Sequence, residues 1–112
     1  MNSFNTLAEF EKEFKRLIKK YKTIDDDFEK FKRVLFASPT GVGKNFVIIY
    51  STETIKVVKA RMACLTLRDR SLRVIYAYSE QNQRIDFIEL YFKGDKENED
   101  LERIKEYLKS IN

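Results

Sequence analysis

Four basic residues of this chain are spaced as a phosphate-handling group requires. Lys59 and Arg61 stand two apart in Thr54–Arg61, a run rich in β-branched residues that predicts a strand, so both side chains leave the same face. Arg73 begins the next predicted strand, and Lys93 follows the last one. If the strands carrying Lys59, Arg61 and Arg73 pair, the three make a cationic cluster on the sheet that Lys93 can join. Guanidinium groups bind phosphate oxygens bidentately and stabilise the added charge of a pentacoordinate phosphorane. An ammonium supplies a compact charge or, where neighbouring cations lower its proton affinity, a proton-transfer group. The same spacing also suits a solvated sheet face decorated with Lys and Arg.

What the chain lacks narrows the chemistry. It has no histidine and a single cysteine, Cys64. Ser-His and Cys-His nucleophile pairs, the two-histidine ribonuclease mechanism and zinc sites of the usual ligand set are therefore excluded. Catalysis falls to Lys, Arg, Tyr, Asp or Glu, and no metal or cofactor is expected. Thr40-Gly41-Val42-Gly43-Lys44-Asn45 looks like the tail of a nucleotide-binding P-loop. However, Ser38 stands where the first Gly belongs, Asn45 replaces the Mg²⁺-binding Ser or Thr, and a strand rather than a helix follows. A turn is the better reading. Tyr76, Tyr78 and Tyr91 could stack on bases. Tyr76 and Tyr78 alternate in phase with Leu72 and Val74, though, which favours core packing, and Cys64 reads as a small buried apolar residue.

The 112 residues carry 22 Lys and Arg against 18 Asp and Glu, a net charge of +4, and the excess is unevenly spread. Lys44 to Arg73 holds seven basic residues and two acids, whereas Gly94 onward holds four basic residues and six acids. A basic centre with an acidic tail points to a surface that faces a polyanion. At 43% hydrophobic residues and 13% aromatic, the chain is too apolar for disorder, and its length suits one domain over 1–112. No apolar run approaches the roughly 18 residues that span a bilayer, and the N-terminus lacks a signal-peptide core. A soluble, cytoplasmic protein with no membrane partner is expected.

The elements that must position these residues follow from periodicity. Thr6-Leu7-Ala8-Glu9 has the form of a capping box, and Leu7, Phe10, Phe14, Leu17, Ile18 and Tyr21 recur at helical spacing, predicting a helix from Leu7 to Tyr21. Thr23 to Asp27 offers caps for a second helix carrying Phe28, Phe31 and Leu35 and ending before Pro39. Strands are expected at Phe46–Tyr50, Thr54–Arg61, Leu72–Ser79 and Arg84–Phe92. A loop covers Met62 to Leu72, and a polar hairpin turn covers Glu80 to Gln83. Residues 2–6 offer a further, poorly patterned N-terminal edge strand. Lys96 to Ile111 closes the chain as a helix through Leu101, Ile104, Leu108 and Ile111. The expected class is α+β: an N-terminal helical hairpin packed on a mainly antiparallel sheet, with a C-terminal helix, all helices on one face.

In element order and in particular residues the chain resembles the RelE/ParE superfamily of toxins from toxin–antitoxin pairs. Phe10-Glu11-Lys12-Glu13-Phe14-Lys15-Arg16-Leu17 through Tyr21 is similar to the family's first helix, and Ile55 to Arg61, with its Lys-x-Arg, to its basic strand. Arg73-Val74-Ile75-Tyr76 resembles the strand that follows, and Leu90-Tyr91-Phe92-Lys93-Gly94-Asp95-Lys96-Glu97-Asn98 the closing aromatic-Lys segment.

For the RelE-like branch the resemblance implies ribosome-dependent cleavage of mRNA. The ribose 2′-hydroxyl attacks the adjacent phosphate, leaving a cyclic phosphate and a free 5′-hydroxyl. It also implies roles. Lys59 is the base or its electrostatic partner, Arg61 and Arg73 hold the non-bridging oxygens, and Lys93 protonates or stabilises the leaving oxygen. Lys56, Arg68, Arg70, Tyr91 and Lys96 are the expected RNA contacts around them. The implied partners are the ribosome, mRNA and a cognate antitoxin, acidic and folding as it binds. Two departures bear on this. Arg70-Ser71-Leu72 replaces the glycines that often precede the strand arginine, and the tyrosine that RelE-like members use near the C-terminus could be Tyr91 or Tyr107. A ParE-like toxin that inhibits DNA gyrase by binding, and a relative without catalysis, are the alternatives.

Overall fold

The computed structural model describes residues 2–111. Its elements run β1 (Ser3–Thr6), α1 (Ala8–Ile18), α2 (Ile24–Ala37), β2 (Phe46–Ser51), β3 (Ile55–Cys64), β4 (Asp69–Ser79), β5 (Arg84–Phe92) and α3 (Leu101–Ser110). The five strands form one sheet in the order β1-β5-β4-β3-β2, antiparallel except for the parallel β1–β5 pair. The α+β class, the helical hairpin and the mainly antiparallel sheet are as expected.

Period-2 alternation divides the apolar residues between two cores, one on each face of the sheet. On one face Val58, Ala60, Met62, Leu72, Val74, Tyr76 and Phe87 meet Phe10 and Leu17 of α1 and Phe28, Phe31 and Leu35 of α2. Aromatic rings dominate that contact, with Phe28 and Phe87 edge to face at 4.8 Å. On the other face Val57, Ile75, Ala77 and Ile88 meet Ile104 and Tyr107 of α3. The helices thus cover both faces, where the sequence predicted one. The register explains this, because each central strand is apolar at odd and even positions alike and so needs a cover on each side.

Local chemistry also moves several boundaries. The weakly patterned β1 forms because Ser3–Thr6 pairs with Arg84–Phe87, which draws Thr6 into the sheet. The expected capping box is therefore absent. Leu7 is the N-cap residue, and Thr6 Oγ1 donates instead to Glu11 Oε1 at 2.8 Å. The helix ends at Ile18 rather than Tyr21, where the amides of Lys20 and Tyr21 both turn back to the Leu17 carbonyl. The β3–β4 hairpin runs on to Cys64 and Asp69, so most of the expected Met62–Leu72 loop is strand. Helix α3 starts at Leu101, not Lys96, capped by Asp100, whose side chain accepts from the Arg103 amide at 3.2 Å. Cys64, Tyr76 and Tyr78 pack in or against the core, as expected.

The segment that looks like a P-loop tail is a turn. Gly41 and Gly43 have φ of 74° and 87°, and a Cβ on Gly41 would overlap the Phe46 ring. The Phe46 ring stacks on Phe31 6.0 Å away, and Tyr76 Oη donates to the Pro39 carbonyl at 2.8 Å, pinning the turn to the core.

Candidate functional site

Helix α3 covers only one end of its face of the sheet. At the other end the register aligns Arg61 of β3, Arg73 of β4 and Tyr91 of β5 in one row, with Lys59, Ile75 and Glu89 in another. The side chains of both rows leave the α3 face, opposite Val58 and Ala60. A cleft of about 280 Å³ opens here, lined by Lys44, Lys59, Arg61, Arg73, Lys93 and Glu99 together with apolar residues of β2. The four residues singled out as a phosphate group from sequence spacing are thus brought to one cavity.

The cations of this cleft are unequally balanced. Lys59 Nζ donates to Glu99 Oε1 at 2.9 Å, with both side chains mostly buried. The Glu99 bond holds Lys59 above the usual lysine value despite the opposing effect of burial. The ammonium form of Lys59 is thereby favoured, which suits the electrostatic role better than that of the base. Burial pushes Glu99 up, but its hydrogen bond and attraction to Lys59 outweigh that, and its carboxyl lies below the usual range.

Arg73 and Arg61 are directly cross-paired, and neither forms an ion pair among the described residues; on Arg73 the Asp69 charge is the smallest of the influences. Arg73 is 6% exposed. Its guanidinium donates to the carbonyls of Arg70 at 2.5 Å and Leu72 at 3.4 Å. Burial, and then the Arg61 charge, hold Arg73 below the ordinary arginine value. Two guanidiniums opposed on one sheet face repel each other, and a bound anion would relieve that repulsion.

The remaining candidates divide. Arg68, in the turn after β3, and Arg70, in β4 rather than a loop, line a second groove of about 680 Å³ that shares Arg61 and Asn45 with the cleft. Lys56 stands one residue out of phase with Val57 and Lys59, so it leaves the opposite face of β3 and is not brought to the cleft. Lys96 is engaged by the buried Glu89 carboxylate and lies 5.3 Å over the Tyr91 ring. Tyr91 itself is 4% exposed and packs in the α3 core, so its ring offers no stacking surface. Its hydroxyl lies beside Lys59: burial raises that phenol, and the Lys59 charge and hydrogen bond oppose the rise. Tyr107 is buried on the sheet-facing side of α3, with Oη 2.5 Å from Asp86 Oδ2, and is not in the cleft.

Glu99 is the residue that sequence reading missed. It sits in the acidic run Asp95–Asp100, 40 positions from Lys59, where spacing gives no sign that it faces a basic cleft. The segment is placed by Glu89, whose Oε1 accepts the Asp100 amide at 2.9 Å, and by Lys96, whose amide returns to the Phe92 carbonyl.

A mostly antiparallel sheet with two helices on one face and one on the other, and a cationic cleft beside the third, defines a small α+β fold. That fold is RelE-like. The structure is similar to that of the archaeal RelE–RelB complex from Pyrococcus horikoshii OT3, with a TM-score of 0.65 and 19% sequence identity over 83% of this chain and 96% of that one. No protein-family model matches the sequence, and no curated protein does. No helix among the described residues is long and apolar enough to cross a membrane.

Proposed function

We propose that this protein is the toxin of a toxin–antitoxin pair and acts in the cytoplasm as a ribosome-dependent mRNA endonuclease. The observation that carries this reading is the Arg61–Arg73 pair, opposed on one sheet face with neither arginine in an ion pair among the described residues, in a cleft that also holds Lys59 and Lys93. The 2′-hydroxyl attacks the adjacent phosphate, Arg61 and Arg73 bind the non-bridging oxygens as charge builds on them, and Lys93 gives a proton to the leaving 5′-oxygen. Lys59 adds positive charge, while Arg68 and Arg70 extend the track for RNA along the adjoining groove. No cofactor enters the scheme. Chemistry this modest is slow without orientation, and the ribosome supplies it by holding the message in place. The similarity to a RelE solved with RelB supports a cognate antitoxin as partner, acidic enough to meet the basic cleft.

The test is primer extension on a message translated in a bacterial extract with purified protein added, beside a ribosome-free control. Breaks within codons that need ribosomes are the expected result, abolished by Arg73→Ala in a protein that still folds. Intact message with inhibited DNA supercoiling would replace this reading with a gyrase-binding one.

A further inference from the structure

The cleft has an unusual composition for a site that must remove a proton. Five of its ionisable lining groups are cations, namely Lys44, Lys59, Arg61, Arg73 and Lys93, and Glu99 is the one acid. A 2′-hydroxyl cannot become a nucleophile without giving up its proton, and arginine and a protonated lysine are donors without a vacant lone pair. Tyr91 is buried and neutral beside the cleft, and Tyr107 lies elsewhere. Glu99 therefore remains as the acceptor. It lines the cleft two residues before α3 begins, and the Lys59 ammonium 2.9 Å from Oε1 fixes its orientation.

Resting on the nuclease reading above, the geometry points to Glu99 as the general base of the cleavage, with Lys59 as its positioning residue. The Glu99 carboxylate takes the 2′-hydroxyl proton, and the 2′-oxygen forms a bond to phosphorus. The P–O5′ bond then breaks, and the 5′-oxygen takes a proton from the Lys93 ammonium. The products are a 2′,3′-cyclic phosphate and a 5′-hydroxyl. Glu99 is left protonated and Lys93 deprotonated, and solvent returns both to their starting states. The Lys59 contact keeps Glu99 ionised throughout the neutral range, so the base is weak but always in its working form. A carboxylate among the phosphate-binding cations works against RNA affinity, which distinguishes a catalytic role from a binding one.

The experiment measures single-turnover cleavage of ribosome-bound mRNA against pH, with binding to the same RNA carrying a 2′-deoxy scissile nucleotide measured in parallel. The wild-type rate is expected to be flat between about pH 6 and 8, because its base is already ionised, whereas lysine as the base would make it climb about tenfold per pH unit. Glu99→Gln should lower the rate about 100-fold or more, turn the profile into a climbing one, and leave RNA binding as tight or tighter. Glu99→Asp, which keeps a carboxylate, should retain a flat profile at a reduced rate. A climbing wild-type profile overturns the inference, as does a folded Glu99→Gln that cleaves at the wild-type rate or loses rate only in proportion to binding. If wild-type protein leaves ribosome-bound message intact, the nuclease reading itself fails and takes the base with it.

Discussion

Arg61 and Arg73, at the scale of single residues, set two like charges against each other across the sheet. Like charges directly opposed across two strands are destabilising, and neither arginine of this pair forms an ion pair among the described residues. Arg61→Gln should therefore raise the melting temperature, by an amount worth about 0.2–1 kcal/mol, while cleavage falls. Inorganic phosphate should raise the wild-type melting temperature more than that of the variant, because binding to the native state alone stabilises it. A melt with and without phosphate checks both. Lys59 and Glu99 make the opposite case, since each stabilises the other's charged form. The lowered Glu99 carboxyl contributes stability that is present above its unfolded value of 4.5 and is lost as pH falls through the folded one. The raised Lys59 contributes stability that is complete below 10.5 and is lost as pH rises through its folded value. The stability difference between wild type and Lys59→Met should thus be constant through neutrality and shrink at both extremes, as denaturant melts across pH would record. Lys59, Arg61, Arg73 and Lys93 were legible because strand alternation and order along the chain place them. Glu99 was not, because an acid within an acidic run reads as solvent-facing until the partner 40 residues away is seen.

At the scale of elements, α1, β5 and α3 are held together by one ion pair that periodicity does not reveal. Beyond Thr6 the β1 strand no longer covers the edge of β5, and Glu13 takes its place: Oε1 accepts the Leu90 amide at 3.0 Å. The same carboxylate is gripped by both terminal nitrogens of Arg103, at 2.9 and 2.8 Å, and Arg103 also donates to the Ile88 carbonyl at 2.8 Å. Glu13 occupies a buried position of α1, one turn from both Phe10 and Leu17, where an acid needs a partner that the sequence does not name. Removing one partner leaves the other charge buried, so Arg103→Met should cost about 3 kcal/mol or more in urea unfolding. Adding Glu13→Gln should cost little further, because the stranded carboxylate is then gone. Tyr107→Phe tests the same end of α3. Losing the bond to Asp86 should cost about 1–3 kcal/mol and leave cleavage intact, since Tyr107 is outside the cleft. The elements themselves were legible where apolar spacing was strong, as in α2 and β5. Boundaries failed where a long-range partner decided them, as when pairing with β5 drew Thr6 out of its cap.

Across the whole molecule, the sheet separates two tasks. One face is sealed by α1 and α2 around the aromatic core, while the other is half covered by α3 and half left as the basic cleft. The charge asymmetry of the sequence foretold such a division, with its basic centre and acidic tail. It did not foretell that the acidic tail would fold back to the cleft rim and neutralise one of the basic residues. That fold-back sets the charge of the cleft, and under the proposed function the charge with which it would meet RNA. Lys59 is paired with Glu99, which leaves Lys44, Arg61, Arg73 and Lys93 without an ion pair among the described residues. If these four contact phosphates, ribosome-free binding of a single-stranded RNA should weaken with salt at a log–log slope of about −3. Arg61→Gln should reduce that slope by about 0.7. Glu99→Gln should steepen it by about the same amount, because Lys59 then becomes available to a phosphate. Fluorescence anisotropy across a salt series measures all three. A slope that ignores Arg61 while responding to Arg68 and Arg70 would move the RNA out of the cleft and into the groove beside it.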